Sequence, residues 1–210
     1  MQYQFISVEG NIGSGKTTLA AMLADHFNGK PVLEQFAENP FLARFYEDPQ
    51  QFAFPLELFF LAERYKQLKD TLQTRDIFGG AVISDYLFTK SLLFARVNLP
   101  EEEYRIYQKL FDILSPQIVQ PDLLIYLHAP LARLMDNIRK RNRSYEQKIT
   151  PEYLFNLQEA YVQYIKQHHF RTLVIDVAKA DFAGNPTQFG AILDALERTY
   201  DEGQHYLGLE

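Results

Sequence analysis

The segment Gly10-Asn11-Ile12-Gly13-Ser14-Gly15-Lys16-Thr17 has the spacing G-x-x-x-x-G-K-[ST]. In that pattern backbone N–H groups cradle phosphate oxygens, the lysine reaches the β and γ phosphates, and the hydroxyl holds Mg²⁺. The glycines permit positive φ angles and a close backbone approach that side chains would block. The pattern carries weight only between a strand and a helix. Gln4-Phe5-Ile6-Ser7-Val8 reads as a short buried strand, and Thr17-Thr18-Leu19 opens a run of apolar residues at helical spacing that reaches Phe27 and stops at Asn28-Gly29. The helix N-terminus adds partial positive charge beneath the phosphates. These residues favour a nucleotide enzyme, with Gly10 to Thr18 receiving the phosphates.

Phosphoryl transfer to a hydroxyl needs a phosphate cradle, Mg²⁺, a base near the acceptor oxygen and cations on the transferring group. Glu34 follows the apolar run Pro31-Val32-Leu33 and stands where a carboxylate can accept a proton; a solvated strand-end or helix-capping glutamate is the competing reading. Two strand-plus-acid segments, Ala81 to Asp85 and Leu173 to Asp176, fit the positioning of Mg²⁺ through water, and the sequence does not rank them. Arg139-Lys140-Arg141-Asn142-Arg143 follows the helical periodicity Leu131-Leu134-Met135-Ile138, which predicts a helix running into an arginine-rich lid over about 139–150. A solvated helix face is the alternative, and the phosphate loop tips the balance, because arginine forks suit phosphate oxygens. The stretch from Phe41 to Phe60 is rich in aromatic residues that belong mostly to the core, with a minority available to stack on a flat base. Within it, Glu57 lies between Leu56 and Leu58, and Arg64, two turns further along the same face, is available as an internal ion-pair partner.

The elements that position these residues follow a repeating order. Short apolar strand candidates at Gln4–Val8, Pro31–Glu34, Ala81–Asp85, Leu123–His128 and Thr172–Val177 alternate with long helical patterns. That order predicts a three-layer α/β fold, a five-stranded parallel sheet with helices on both faces. Ligands gather outside the carboxyl ends of such strands, which places Glu34 and Asp85 at the site. At 210 residues and 47% hydrophobic content the chain suits a single domain. A net charge of −6 argues against a nucleic-acid partner. The absence of cysteine excludes disulfides and thiolate chemistry, and the five histidines show no metal spacing. With neither a signal-like start nor a long apolar span, the expectation is a cytoplasmic protein without membrane attachment.

Together, Glu9-Gly10-Asn11-Ile12-Gly13-Ser14-Gly15-Lys16-Thr17, Glu34 and Arg141-Asn142-Arg143-Ser144-Tyr145-Glu146-Gln147 resemble the deoxynucleoside kinase family. The likeness covers nearly the whole chain. Phe45-Tyr46-Glu47-Asp48-Pro49 and Gln120-Pro121-Asp122-Leu123-Leu124-Ile125-Tyr126-Leu127 are further matching pieces. The resemblance implies a phosphate-loop kinase fold, with ATP as donor, Mg²⁺, a deoxynucleoside acceptor and a homodimer of packed helices. It implies that Glu34 is the base for the 5′-hydroxyl, that Arg141 and Arg143 hold donor phosphates, and that Asp85 helps place Mg²⁺ with Thr17. It also implies that Tyr46 and Glu146 hold the sugar 3′-hydroxyl, that Phe94 stacks on the base, and that Arg64 lines the base pocket.

Two positions depart from the family. The acid after the third strand is usually followed by an arginine, but here stands Tyr86, so a lid arginine or Lys16 must compensate or turnover is weak. Glu57 stands where the family has a glutamine that pairs with the base edge. An ionised glutamate offers only acceptors, which matches the adjacent N1–H and N2–H₂ donors of guanine, whereas adenine and cytosine require a protonated carboxyl or a protonated base. The expectation is a lean toward purines, deoxyguanosine above all. The rivals are a thymidylate-type nucleoside monophosphate kinase and a nucleotide-binding sensor with weak turnover. A GTPase is disfavoured because no Asn-Lys-x-Asp signature occurs.

Overall fold

A computed structural model describes residues 2–36, 39–73 and 80–209. The chain order is β1 (Phe5–Gly10), α1 (Lys16–His26), β2 (Lys30–Val32), α2 (Leu42–Glu47), α3 (Pro49–Gln73), β3 (Val82–Ser84), α4 (Lys90–Asn98) and α5 (Glu101–Leu114). It continues with β4 (Leu123–His128), α6 (Leu131–Arg141), α7 (Pro151–Gln167), β5 (Arg171–Asp176), α8 (Pro186–Leu196) and β6 (Gly203–Gly208).

All strand pairs are parallel, in the order β2-β3-β1-β4-β5-β6. Parallel strands need crossovers, and helices supply them, so the inner strands are apolar on both sides. Along β4, Leu123, Ile125 and Leu127 enter one core with Leu19 and Leu23 of α1, Leu134 and Ile138 of α6 and Ile192 of α8. The alternate residues Leu124 and Tyr126 pack on the other face against Tyr161 and Ile165 of α7. Phe5, Val32 and Val82 meet Leu56, Leu61 and Leu68 of α3 and Tyr107 and Phe111 of α5 in a third cluster. The result is the expected three-layer α/β arrangement.

Among the described residues the sheet has six strands rather than the five expected. β6 pairs in register with β5 from Arg171↔Gly203 to Asp176↔Gly208. Gly203-Gln204-His205-Tyr206-Leu207-Gly208 has a glycine at each end and polar residues at alternate positions, and an edge strand half open to water needs little apolar content, so it lacks the signal of a buried strand. β2 also stops earlier than expected, at Val32, which leaves Glu34 in the following loop.

Candidate active site

β1 ends at Gly10 and feeds directly into the phosphate loop, and α1 begins at Lys16. Gly13 adopts φ +85°, and a Cβ there would lie 2.8 Å from the Leu134 carbonyl oxygen, so no side chain fits. Gly15, at φ +93°, caps α1 without any side-chain cap. The first-turn N–H groups of α1 are therefore aimed at the loop with no side chain accepting from Gly15's position, the arrangement that receives a phosphate. Asn11 ties the loop down, accepting from the Ile12 N–H at 2.8 Å and donating to the Leu154 carbonyl at 2.7 Å. Thr18 faces solvent in the first turn.

Asp85, immediately after β3, joins three elements. Its Oδ2 accepts from the Thr17 hydroxyl at 2.5 Å, and its Oδ1 accepts from the backbone N–H of Glu34 at 2.8 Å. Asp176, the other strand-end acid, instead caps its own turn by accepting from the Ala178 N–H at 2.9 Å. The structure thus separates two acids that the sequence left equal. A hydroxyl and a carboxylate side by side at the phosphate loop form an all-oxygen donor set suited to Mg²⁺, which relies on one or two carboxylates with phosphates and water. No group of three or more His, Cys, Asp or Glu residues placed to hold a metal ion occurs among the described residues.

Glu34 is buried between two cations. Arg64, from α3, places Nε at 2.8 Å and Nη2 at 2.6 Å from Oε1, and Lys90, from the first turn of α4, places Nζ at 2.6 Å from Oε2. Burial acts to raise the carboxyl pKa, but Arg64 and Lys90 outweigh it and hold Glu34 down at about 2. Glu34 is therefore anionic throughout the neutral range. Lys16 donates to the Asn11 carbonyl at 3.3 Å and is brought to about 8, first by burial and then by the neighbouring charge of Lys90. Arg64 pairs with Glu34 and donates to Ser91 Oγ at 2.9 Å, so the ion pair between Glu57 and Arg64 that their spacing allowed is replaced by one with Glu34.

Glu34, Lys16 and Arg64 share one cavity, about 640 Å³ with its open mouth included. Lys16, Thr17, Glu34, Tyr46, Glu57, Arg64, Phe94, Arg141, Arg143 and Glu146 all line it, together with Lys90, Asn98 and Tyr153. Glu57 is 1% exposed; Asn98 donates to its Oε1 at 2.7 Å, and its Oε2 is buried without a hydrogen-bond partner. Burial raises the Glu57 pKa to about 7 against the opposing influence of Arg64 and Asn98.

The lid is more ordered than an arginine-rich loop suggests. α6 runs through Arg141, ends on Asn142 at φ +51°, and passes into a 3₁₀ turn from Ser144 to Lys148. Arg141 grips the buried Glu146 at 2.6 Å, and Arg143 approaches it at 3.5 Å while its guanidinium lies 4.6 Å from the Phe36 ring centroid. Tyr86 is fully buried, donates to Gln67 Oε1 at 2.6 Å and is absent from the cavity lining. Lys90, Asn98 and Tyr153 were not singled out from the sequence. A lysine within Leu87-Phe88-Thr89-Lys90-Ser91-Leu92-Leu93-Phe94, one turn before a candidate stacking aromatic, was the available signal for the first.

The order of strands, the loop between β1 and α1 and the acids at the strand ends define a phosphate-loop nucleotide-binding α/β protein. Comparison with known proteins narrows that class. The deoxynucleoside kinase family model matches residues 6–200. The deoxyguanosine kinase of Bacillus subtilis is 39% identical over 90% of this chain and 93% of its own. The deoxyadenosine kinase of Dictyostelium discoideum is 31% identical over 90% of this chain and 78% of its own. The solved deoxyadenosine kinase of M. mycoides with bound dCTP superposes with a TM-score of 0.79 at 26% identity, covering 92% of this chain and 98% of that one. The chain belongs to the deoxynucleoside kinase family and is a kinase.

A buried carboxylate between two buried cations makes a direct prediction about stability. Glu34→Gln leaves Arg64 and Lys90 without their anion and is expected to lower unfolding stability by about 3–5 kcal/mol. Because the folded pKa of about 2 lies below the ordinary 4.5, the contribution is full above pH 4.5 and is lost as pH falls toward 2. Urea unfolding from pH 7 to pH 2.5 should show the two proteins converging at the acid end; equal stability at pH 7 would refute the account.

Proposed function

We propose that the protein transfers the γ-phosphoryl group of ATP to the 5′-hydroxyl of a deoxynucleoside, favouring purines and deoxyguanosine above all. We take it to act as one domain over residues 1–210, in cytoplasmic nucleotide salvage. The observation that carries the reading is Glu34, an anion held on the same cavity as Lys16 and Thr17 of the phosphate loop. An acceptor hydroxyl approaching Glu34 meets a proton acceptor whose position is fixed by two cations and whose charge never titrates near neutrality. With so low a pKa it orients the hydroxyl and takes its proton late, as oxygen bonds to phosphorus.

Lys16 and the α1 N-terminus then hold donor phosphates, and Thr17 and Asp85 hold Mg²⁺, which would neutralise charge on the donor. Arg141 and Arg143 close over the same phosphates from the lid, and Tyr46 and Glu146 face the sugar. Phe94 supplies a flat surface for the base. A monophosphate acceptor suits this cavity poorly, because Glu34 and Glu57 oppose a second anion. The tyrosine at position 86 no longer favours a sensor, since Lys90 brings a positive charge to Glu34 from another position.

Base choice rests on Glu57, which lines the cavity and whose Oε2 is a buried acceptor with no partner. The ionised carboxylate accepts from guanine N1–H and N2–H₂ and repels the ring acceptor of adenine. The neutral carboxyl adds an O–H donor and accommodates either base. With a pKa of about 7 both forms are present near neutrality. A mismatched polar edge costs about 1–3 kcal/mol, which corresponds to roughly ten- to hundredfold discrimination.

A homodimer is the quaternary reading. Ile106, Leu110 and Ile113 form an apolar stripe along α5, 39–68% exposed, and Val119 extends it at 52%.

The kinase assignment is tested by nucleotide turnover with Mg²⁺ against the four deoxynucleosides and thymidine monophosphate. Activity on deoxynucleosides that falls at least a hundredfold in Glu34→Gln supports it, and activity on the monophosphate alone moves the acceptor. Raising pH from 6 to 8 should increase the kcat/KM ratio of deoxyguanosine over deoxyadenosine about tenfold, and Glu57→Gln should flatten that dependence; a ratio independent of pH would remove Glu57 from base choice. Sedimentation of Leu110→Asp/Ile113→Asp should give a monomer from a dimeric parent, and a monomeric parent would refute the dimer.

A further inference from the structure

Lys90 is the residue in the cavity whose placement the reading above leaves unexplained. It lies at the start of α4, is 3% exposed, and its Nζ stands 2.6 Å from Glu34 Oε2 and 5.4 Å from the Phe94 ring centroid. Its charge acts on Lys16 and on Glu9 of the phosphate-loop segment as well as on Glu34, and it lines the same cavity as the carboxylate that receives the acceptor and the lysine that receives the donor. A structural salt bridge needs only one cation here, and Arg64 already supplies two N–H groups to Oε1. A second buried ammonium on the opposite oxygen is costly to desolvate, and it faces another lysine.

An ammonium has three N–H donors in flexible directions, and Glu34 uses one of them. The remaining two are free to meet oxygens of a phosphoryl group lying between Glu34 and Lys16. Resting on the kinase reading above, we propose that Lys90 is a catalytic residue, the cation that bridges Glu34 to the phosphoryl group in flight. As the 5′-oxygen bonds to the γ-phosphorus, the bond from that phosphorus to the bridging oxygen breaks and ADP leaves with the electron pair. The hydroxyl proton passes to Glu34, and Lys90 keeps its protons, donating hydrogen bonds to the phosphoryl oxygens as charge accumulates there.

The role separates from a structural one by kinetics. Lys90→Met is expected to lower kcat at least a hundredfold, with deoxynucleoside KM changed less than about threefold, and Lys90→Arg should recover at least a tenth of the activity. Melting curves report whether each variant is folded. The unaltered enzyme crystallised with ADP, aluminium fluoride and deoxyguanosine gives an independent answer, with Lys90 Nζ expected at about 3 Å from a fluoride. Lys90 held on Glu34 alone in that complex, or a folded Lys90→Met with near-normal kcat or with KM alone raised, overturns the proposal while leaving the kinase reading intact. An unaltered enzyme that turns over no deoxynucleoside overturns both.

Discussion

The structure around the cavity depends on the charge of Glu34 being kept out of water. An isolated buried carboxylate would neutralise itself, so its ionisation requires Arg64 from α3 and Lys90 from α4 to be delivered to the same point. Those helices lie on one face of the sheet, whereas Glu34 arrives from the loop after β2. The backbone of Glu34 is in turn fixed by Asp85, whose second oxygen takes the Thr17 hydroxyl. One continuous set of hydrogen bonds thus connects two helices, the loop after β2, the end of β3 and the start of α1. A displacement of either helix is felt at the phosphate loop through three residues.

Glu9 repeats the logic within the loop's own strand. It is 2% exposed, accepts from the Leu87 N–H at 2.6 Å and from the Tyr161 hydroxyl at 2.9 Å, and burial raises its pKa. It ties β1 to the turn before α4 and to α7. Since Lys90 lies on the first turn of α4, three residues after Leu87, the same bond that steadies the loop also sets the lysine's base. The geometry of the cavity rests on two buried carboxylates, one at its surface and one behind it.

What the sequence made legible follows from the range over which each signal acts. The phosphate loop is a local pattern whose spacing dictates its own conformation, and the inner strands are continuous apolar runs, so both could be read directly. β6 is an edge strand with polar alternation and terminal glycines, and its pairing with β5 is a tertiary fact. Asp85 and Asp176 had the same local signature; only the neighbour in space, Thr17 for one and Ala178 for the other, separates them. Arg64 was placed on the right wall of the cavity, but helical spacing suggested Glu57 as its partner where a glutamate thirty residues away takes it. Lys90 has no such local signature: the sequence departs from the family at Tyr86, whereas the charge on Glu34 comes from one turn along, on the next helix.

Glu57 shows how a cost in the isolated protein points to a ligand. Folding gains nothing from a carboxyl group that is 1% exposed, has one oxygen held by Asn98 and the other unpartnered. An unsatisfied buried acceptor costs about 1–3 kcal/mol, and an apolar residue of similar size between Leu56 and Leu58 would remove that cost. Tyr153 and Tyr46 line the same cavity. A donor placed against that orphan oxygen would return on binding the energy withheld on folding. A glutamine there would offer both donor and acceptor at any pH. A carboxyl there offers acceptors alone when ionised and adds a donor when protonated.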